Sequence, residues 1–526
     1  MHKMKPYLFI GLIALCPFLT SAQDGPFGYY NDALLFSQTS FGGTARIQAL
    51  GGAQVSLGGD QSSAASNPAG LGFFNRGTVV FTPSLNFFDT EADYLGDNNS
   101  SFRTNFNFDQ LGIILNYSKP ATSESGYRGG SFAISLNRIN NFNNEVEYIG
   151  FNNTNSIVDS FIEGAGTTNP GDLGGLESVA YDHFLIDLAD FDSDLDYTFD
   201  NDVIVPFDGD GTFEGYGSPF GRVPGVFPRQ TESIRTRGGQ NQLNFSWGGN
   251  YSDRIYFGAG LGLNTINYRR ERTYTEDAFV LSNGDADDLI SAVTISDELD
   301  VTGTGVNATV GLIARPVDFV TVGVSYVTPT FYAMEEESFF TFITDWNSIY
   351  SYGLPEDTIA LGNIITDSDV VLGSYNLRTP AKLNVGSTFF FGKAGFLTAD
   401  VEFVDYSQAE IRSSDFREQA DNEVINDLYR SVVNFRLGGE FRLDQFRFRG
   451  GYAYMADPYQ DSDFDRSISN ITFGAGLRTR DYFIDIGVVN RQTQSQTSPY
   501  FVNENQPIAE IDNRSTSAVF TVGFTF

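Results

Sequence analysis

Cysteine and histidine are nearly absent from the 526-residue chain, which contains one cysteine, Cys16, and two histidines, His2 and His183. Disulfides, iron–sulfur clusters and thiolate zinc sites therefore have too few ligands to form. A hydrolase with a Ser-His-Asp triad would need His183, but the sequence around His183 contains no nucleophile elbow. We expect His183 to be a solvated loop residue, and we expect no catalytic residues, no metal site and no cofactor.

Basic residues are also scarce. The chain has 32 Lys+Arg against 66 Asp+Glu, which gives a net charge of −34. A nucleic-acid-binding protein needs a basic surface that displaces counterions from phosphates, so this class is excluded. Aromatic residues make up 15 % of the chain, whereas disordered chains are poor in aromatics, so intrinsic disorder is excluded as well.

Long apolar runs are missing. No segment reaches the roughly 18 consecutive apolar residues of a transmembrane helix. The apolar run at residues 7–19 follows two lysines and ends in small residues just before Gln23. This three-part layout predicts a cleaved signal peptide over residues 1–22, which contains Cys16, and therefore predicts export from the cytoplasm.

The rest of the chain alternates between apolar and polar residues. In residues 431–443 one face is apolar or glycine, and the other is mostly polar. Such alternation is typical of a β-strand with one apolar face. Many of these segments run well past ten residues, whereas globular strands average about 5–6 residues and a tilted membrane strand needs about 9–11.

Short and long connections alternate between the predicted strands. Tight turns occur at positions such as Ser252-Asp253, and the two longest connections span about 149–231 and 336–375. Alternating turns and loops are typical of outer-membrane barrels, which must close because lipid cannot hydrogen-bond a strand edge. We therefore predict an all-β fold: a 14-stranded antiparallel transmembrane β-barrel over residues 77–526.

Residues 23–76 do not alternate and are rich in small side chains. Residues 60–71 read as a short helix with Asp60 as its N-cap, and Asn67-Pro68 ends it because the residue before a proline is disfavoured in a helix. Side chains alone can fill the interior of an eight-stranded barrel, but a 14-stranded barrel has a wider lumen. We expect residues 23–76 to form an N-terminal hatch, a plug of short helices inside the lumen.

Several stretches resemble the FadL-type transporters of hydrophobic compounds. The most specific is Asn67-Pro68-Ala69-Gly70-Leu71, which resembles the hatch motif of that family. Residues 42–46, 50–53, 379–386, 397–407, 437–442 and 449–454 follow the family pattern in the same order. The resemblance implies a 14-stranded barrel with a hatch, and a hatch motif at Asn67, Pro68 and Ala69.

The resemblance also implies a function and a route. It implies passive uptake of long-chain fatty acids or similar lipophilic molecules across the outer membrane, with capture by a loop groove, a pocket above the hatch and lateral release at a kink in the third strand. The candidate kink is the polar run that contains Asn140, Asn141, Asn143 and Asn144. A polar run facing lipid is costly, so either the wall is disturbed there or these residues lie above the membrane.

The long connection at 149–231 contains the candidate capture groove. Phe184, Leu185, Leu188 and Phe191 could line one face of a short helix, although a small self-packed loop core is equally compatible with the sequence. The acidic run at residues 192–196 lacks the glycine of a calcium-binding loop, since Tyr197 takes that place. We expect a solvated acidic face that divalent ions bridge to lipopolysaccharide.

Two other functions remain open. Some barrels of this kind serve as adaptors of a type IX secretion route, and a haem-uptake role would have to use ligands such as His183, Met334 or Met455. Transport predicts a ligand-sized apolar pocket between hatch and wall, whereas an adaptor predicts a plugged lumen. We expect a monomer in the outer membrane, with a hydrophobic small molecule and outer-membrane lipid as partners.

Overall fold

The structure is a computed structural model, and it describes residues 27–119, 126–189, 198–200, 203–205, 215–218, 220–221, 228–278, 280–281, 290–348, 351–354, 357–461 and 463–526. The predicted signal peptide at residues 1–22 lies outside the described residues.

Fourteen antiparallel strands form one closed wall. They are β1 (Thr78–Tyr94), β2 (Asp97–Ser118), β3 (Tyr127–Asn141 and Asn144–Phe151), β4 (Arg229–Tyr251), β5 (Ile255–Asp277), β6 (Ile290–Val317), β7 (Val320–Val327 and Phe331–Trp346), β8 (Asn363–Asp367, Val371–Arg378 and Lys382–Phe390), β9 (Gly395–Asp405 and Glu410–Arg412), β10 (Ser431–Leu443), β11 (Phe446–Met455), β12 (Ile468–Arg478), β13 (Tyr482–Thr497) and β14 (Ala509–Thr525). Each strand pairs with the next, and β1 pairs with β14 from Thr78↔Thr525 to Tyr94↔Ala509. The predicted 14-stranded antiparallel barrel is confirmed.

The helices are short and are not part of the wall. They are α1 (Tyr29–Ser37), α2 (Ala45–Gln48), α3 (Ser63–Ser66), α4 (Ile157–Ala165), α5 (Gly175–Asp182) and α6 (Gln419–Leu428), with 3-10 turns at Pro68–Phe73, Pro170–Asp172 and Tyr406–Gln408. Short strands outside the wall are Asp187–Ala189, Thr198–Asp200, Val203–Val205, Gly215–Gly217, Phe220–Gly221, Val280–Leu281, Ser351–Leu354 and Asp357–Ala360. In the described part of the chain, every helix is too short or too polar to cross a membrane.

The apolar face of each strand points outward. In β10, Val433, Phe435 and Leu437 are 42–51 % exposed, whereas the alternating Asn434 and Glu440 are at most 6 % exposed. An inverted arrangement, polar inside and apolar outside, is stable where lipid rather than water surrounds the wall. This period-two pattern explains why the strands were readable from the sequence.

One end of the barrel carries mostly short turns, and we call it the turn end. The other, the loop end, carries the long connections, although β1 and β2 are joined there by the two residues Leu95 and Gly96. At the turn end, Ser252 and Asp253 both adopt a left-handed backbone, with φ of 57° and 56°. The connection predicted at 336–375 is shorter than expected, because β7 continues to Trp346 and β8 already begins at Asn363. These strand extensions pair beyond the lipid-facing band, where apolar alternation no longer marks a strand.

The N-terminal segment, residues 27–76, lies inside the lumen. Its backbone rests on inward-facing glycines of the wall: a Cβ at Gly311 would overlap Oδ1 of Asn67, and one at Gly323 would overlap the carbonyl of Val55. The same holds for other wall glycines, namely Gly248, Gly258, Gly438 and Gly451. Glycine at these positions lets two backbones approach closely.

The helix predicted near Asp60 differs in detail. It spans Ser63–Ser66 with Ser62 as its N-cap, and Asn67 ends it in an extended conformation as expected. Asp60 instead accepts hydrogen bonds from Ser62 N at 3.0 Å and from Thr44 Oγ1 at 2.9 Å. Asp60 is drawn away from the cap position by these contacts within the segment.

Candidate functional site

The wall is interrupted between β2 and β3. Their ladder runs from Ser118↔Gly129 to Gln110↔Asn137 and ends there. At the same height the β3–β4 ladder shifts register at Ile139, and β3 breaks between Asn141 and Asn144. From that point to the loop end, over residues that the structure describes on both strands, no backbone ladder joins β2 to β3.

Above this break the second segment of β3 packs against the inner face of the wall. Its Val146 and Tyr148 lie in a buried cluster with Ala92, Tyr94 and Ile511. This segment keeps its backbone ladder with β4, but its contacts with β1 and β2 come from side chains: Arg103 Nη1 donates to Asn144 O at 3.2 Å, Thr90 Oγ1 to Glu145 O at 2.5 Å and Asn99 Nδ2 to Ile149 O at 3.4 Å. The opening in the ladder is therefore spanned by side chains, which can separate more easily than a cooperative ladder.

The four candidate kink residues all lie at this break and bond inward. Asn140 Nδ2 donates to Gln38 O at 3.0 Å, Asn141 Oδ1 accepts from Asn143 Nδ2 at 2.7 Å, and Asn144 Nδ2 donates to Asn513 Oδ1 at 3.0 Å. The polar run thus avoids the cost of facing lipid because its amides are turned into the lumen. Its role in release is a proposal, taken up below.

The N-terminal segment contacts both edges of the break. On the β3 edge, Ser40 N and Oγ donate to Ile139 O at 2.9 and 3.1 Å. On the β2 edge, Gln48 Nε2 donates to Asp109 Oδ2 at 2.8 Å, and Asp109 is the residue that bulges out of the β1–β2 register. Movement of residues 40–48 would consequently change both edges of the break together.

Two cavities flank these contacts. One, of about 330 Å³, lies beside the break, with its walls formed by Asn86, Asn107, Arg138, Asn140, Asn141, Asn143, Asn144, Arg491 and Asn513 among others. The second, of about 170 Å³, lies between the N-terminal segment and β7, β8 and β9, and includes Thr39, Gln54, Thr328, Thr379, Pro380 and Lys382. Amides, hydroxyls and charged groups line both cavities together with apolar side chains such as Phe41, so neither is the predominantly apolar pocket that transport leads one to expect.

The hatch-motif residues hold the N-terminal segment to the wall. Asn67 Oδ1 accepts from Ala69 N at 3.1 Å, and Asn67 Nδ2 donates to Val55 O at 2.7 Å and to Val324 O of β7 at 3.4 Å. Pro68 begins the 3-10 turn, where its missing N–H costs nothing. These contacts give the motif a structural role.

We expect Asn67→Ala to loosen residues 54–70. The substitution removes three hydrogen bonds of a side chain that is 1 % exposed, which should cost about 2–3 kcal/mol locally. Hydrogen exchange of peptides covering 54–70 in the purified protein measures this loss. Ser66→Ala is the control, because Ser66 Oγ donates only to Ser62 O at 3.3 Å; equal exchange in the two variants would contradict the assigned role.

The candidate capture residues do not share one helix face. Helix α5 ends at Asp182, and Phe184 adopts a left-handed backbone with φ of 61°. Leu185 is fully buried in a loop core with Phe161 and Phe342, whereas Leu188 is 37 % exposed in the short strand Asp187–Ala189. Phe191 and the acidic run at 192–196 lie outside the described residues.

His183 is buried rather than solvated, which corrects the sequence-based expectation. Its Nδ1 is 2.9 Å from Thr344 Oγ1 and its Nε2 is 2.8 Å from Thr366 Oγ1, so both ring nitrogens are hydrogen-bonded. Trp346 Nε1 also donates to His183 O at 3.2 Å. The two threonines belong to β7 and β8 and follow His183 by more than 160 residues in the chain. No local sequence pattern could therefore have indicated these partners. A haem ligand at His183 would have to break these bonds, and Met334 and Met455 are buried in the wall's inner packing.

The loop core should weaken in acid because of His183. Burial lowers the pKa of His183 from 6.5 to about 4, so the folded loop favours the neutral form of the imidazole ring. The stabilisation is complete above pH 6.5 and is lost as the pH falls towards 4, by up to about 3 kcal/mol. Trp346 fluorescence in a Trp247→Phe background reports the change, since the chain has 2 Trp.

His183→Gln is the control for this acid response and should flatten it. Burial also raises the pKa of the nearby Asp187 to about 6, but that shift acts in the opposite direction and favours the folded loop in acid. An unchanged acid response in His183→Gln would show that another group is responsible.

A buried ionic cluster joins the N-terminal segment to the wall and was not foreseen. Arg46 lies 3.4 Å from Asp60 and 3.5 Å from Glu440 of β10, and Arg449 of β11 lies 2.8 Å from Glu440 and 2.6 Å from Asp485 of β13. These five side chains are at most 7 % exposed. The inward polar faces of the strands signalled buried charge, but not which residues would pair.

Solved structures show the same architecture. The P. putida toluene transporter TodX aligns with a TM-score of 0.51 at 11 % identity over 92 % of this chain and 99 % of that chain. A FadL homologue of Pseudomonas aeruginosa aligns with a TM-score of 0.53 at 12 % identity over 93 % and 98 %. No protein-family model and no curated protein matches the sequence. The predicted resemblance is confirmed at the level of the fold: the chain has the fold of the FadL-type hydrophobic-compound channels.

Proposed function

We propose that the protein is an outer-membrane channel for passive uptake of hydrophobic compounds, with lateral release through the β2–β3 break. The observation that carries the proposal is the end of the β2–β3 ladder at Gln110↔Asn137 beside a cavity inside the lumen. Lipid cannot satisfy unpaired backbone groups, so a break in the ladder that lies within the lipid-facing band is a weak point at which the wall can open. The similar fold of a toluene transporter supports this reading.

The orientation follows from export. A signal peptide at residues 1–22 would deliver the chain to the periplasm. The first residue of the first strand, Thr78, and the last residue of the last strand, Thr525, both lie at the turn end. The turn end is then periplasmic and the loop end faces the cell exterior. At the loop end, capture would use exposed side chains such as Leu188, since Phe184 and Leu185 pack into the loop core.

The N-terminal segment acts as the hatch of this channel. It is held by Ser40 on the β3 edge and by Gln48 on the β2 edge, so a shift of residues 40–48 uncovers the break from both sides. Because polar groups share the lining of this cavity with apolar side chains, an apolar molecule gains less there than it would in a wholly apolar pocket. The cavity is therefore a passage that opens with the hatch rather than a storage pocket.

Uptake by cells tests the proposal. Cells with and without the gene are given a labelled long-chain fatty acid or a labelled aromatic hydrocarbon, and accumulation is followed over time. Faster accumulation of at least one compound class in cells that carry the gene supports transport. If cells with and without the gene accumulate each of the two compound classes equally fast, the proposal is contradicted.

A second function, an adaptor of a type IX secretion route, is favoured by the filled lumen and its polar cavities. An adaptor needs no conducting route, and the N-terminal segment makes buried contacts with the wall at Arg46, Asn67 and Ala45. Stable co-purification with secretion components together with unchanged uptake would favour the adaptor over the channel.

A further inference from the structure

The outer surface of the wall contains a groove across five strands, β5 to β9. One row of outward side chains crosses it in direct register: Leu263, Val306, Phe331, Arg378 and Glu410. The row nearer the loop end is Thr265, Thr304, Ala333, Asn376 and Arg412. The groove encloses about 720 Å³ and is apolar on β5–β7 and charged on β8–β9.

Proline breaks in the wall explain why the surface is indented here. β7 is interrupted at Thr328–Pro329–Thr330 and β8 at Thr379–Pro380–Ala381, directly on the turn-end side of the row. Proline cannot donate to a ladder, so neighbouring strands lose their regular pleat at this height. β9 leaves the ladder at the same level and forms the 3-10 turn Tyr406–Gln408.

The groove lies at the boundary of the lipid-facing band. On its turn-end side the outward side chains are apolar, with Leu261 and Val310 about half exposed. On its loop-end side Arg269 forms ion pairs with Glu298 and Asp300. A groove at this height has acyl chains at one end and lipid headgroups at the other.

The lining of its charged end contains two arginines, Arg378 and Arg412, and one glutamate, Glu410, while the carboxylate of Glu418 outside the lining also acts on Arg412. Glu410 contacts Arg378 at 3.2 Å and Arg412 at 2.7 Å, so two guanidinium groups share one carboxylate. The buried Nε of Arg378 has no hydrogen-bond partner among the described residues, and Arg412 is 70 % exposed. In a chain with a net charge of −34, this local excess of arginine favours an anion.

We propose that the groove binds a phosphate-bearing lipid of the outer leaflet, of the lipid A type. Its acyl chain would lie on Leu263, Val306 and Phe331, and its phosphate would accept hydrogen bonds from Arg378 and Arg412. Guanidinium groups bind phosphate through paired N–H donors, and the apolar row removes acyl surface from headgroup water. The site is on the outside of the wall, so the inference does not need transport, but it rests on the proposed orientation with the loop end at the cell exterior.

The test measures lipid binding to the purified barrel by native mass spectrometry. The detergent is first exchanged for lipid. The probes are bisphosphorylated lipid A, the same lipid without phosphates, and inorganic phosphate as a competitor. We expect Arg378→Gln/Arg412→Gln to weaken lipid A binding at least about tenfold, since charge-assisted hydrogen bonds are lost. The dephosphorylated lipid should bind both proteins equally weakly, and inorganic phosphate should not compete.

Arg237→Gln is the matched control, because Arg237 is another half-exposed outward arginine, 3.4 Å from Glu271, away from the groove. Phe331→Ser tests the apolar end without touching a charge and should also weaken lipid A binding. Heat-modifiable gel mobility verifies that each variant is folded. Wild-type affinity in both groove variants, equal loss in Arg237→Gln, or full competition by inorganic phosphate would each overturn the proposal.

Discussion

Uptake is expected to stop when β2 and β3 are cross-linked across the break in the wall. Asn107 of β2 and Asn144 of β3 line the same cavity of about 330 Å³. The variant Asn107→Cys/Asn144→Cys, made in a Cys16→Ser background, can be joined by a short bifunctional thiol reagent, because Cys16 is the one native cysteine. Accumulation of the labelled compound should fall to that of cells without the gene and recover after reduction.

The physical reason is that side chains rather than a backbone ladder join β2 to β3 from the break to the loop end. Where the ladder is continuous, a molecule leaving sideways would have to break cooperative pairing, such as that of β12 with β13 from Ile468↔Thr493 to Arg478↔Phe483. At the break it has to displace only contacts such as those of Arg103 and Thr90. A covalent link removes this freedom without filling the rest of the lumen.

A matched pair separates this effect from labelling itself. Ser469 and Gln492 are register partners on β12 and β13, so Ser469→Cys/Gln492→Cys is cross-linked across a continuous ladder. Uptake should be unchanged by the reagent in that variant. Unchanged uptake in the cross-linked Asn107→Cys/Asn144→Cys protein would rule out lateral release at this site.

The wall could be predicted from the sequence because its constraint is local. In residues 431–443 the side chains face lipid and lumen alternately, so hydropathy alone indicates the strand and its two faces. In the structure β10 spans the same residues. The same rule failed at residues 336–346, where β7 extends beyond the lipid and alternation no longer reports the strand. The polar run around Asn140 was visible for the same reason, since it breaks the alternation.

The site contacts could not be predicted because they join residues far apart in the chain. Gln48 meets Asp109 and His183 meets Thr344 only after the barrel has closed. The expected helix at Phe184 failed because the loop core, rather than periodicity, determines where that chain turns. Sequence alone therefore indicated which polar residues were unusual, but not their partners.

The largest effect on the N-terminal segment is expected from Glu440→Gln. Glu440 accepts from Arg449 and Arg442 at 2.8 and 2.7 Å and lies 3.5 Å from Arg46 of the segment. Removing its charge leaves buried guanidinium groups with too few carboxylates, and breaking such a cluster costs about 3–5 kcal/mol. Hydrogen exchange of residues 43–59 should rise accordingly.

Asp481→Asn is the control for Glu440→Gln, because the Arg76–Asp481 pair at 3.3 Å is exposed and should contribute less than about 1 kcal/mol. Combining Glu440→Gln with Arg46→Met removes one charge of each sign, so the double variant should recover part of the loss if the two residues are coupled. If exchange of residues 43–59 is the same in Glu440→Gln and the wild type, the ionic cluster does not hold the segment. If exchange rises and uptake rises with it, the contacts that stabilise the segment also keep the route closed, which connects the burial of Arg46 directly to gating.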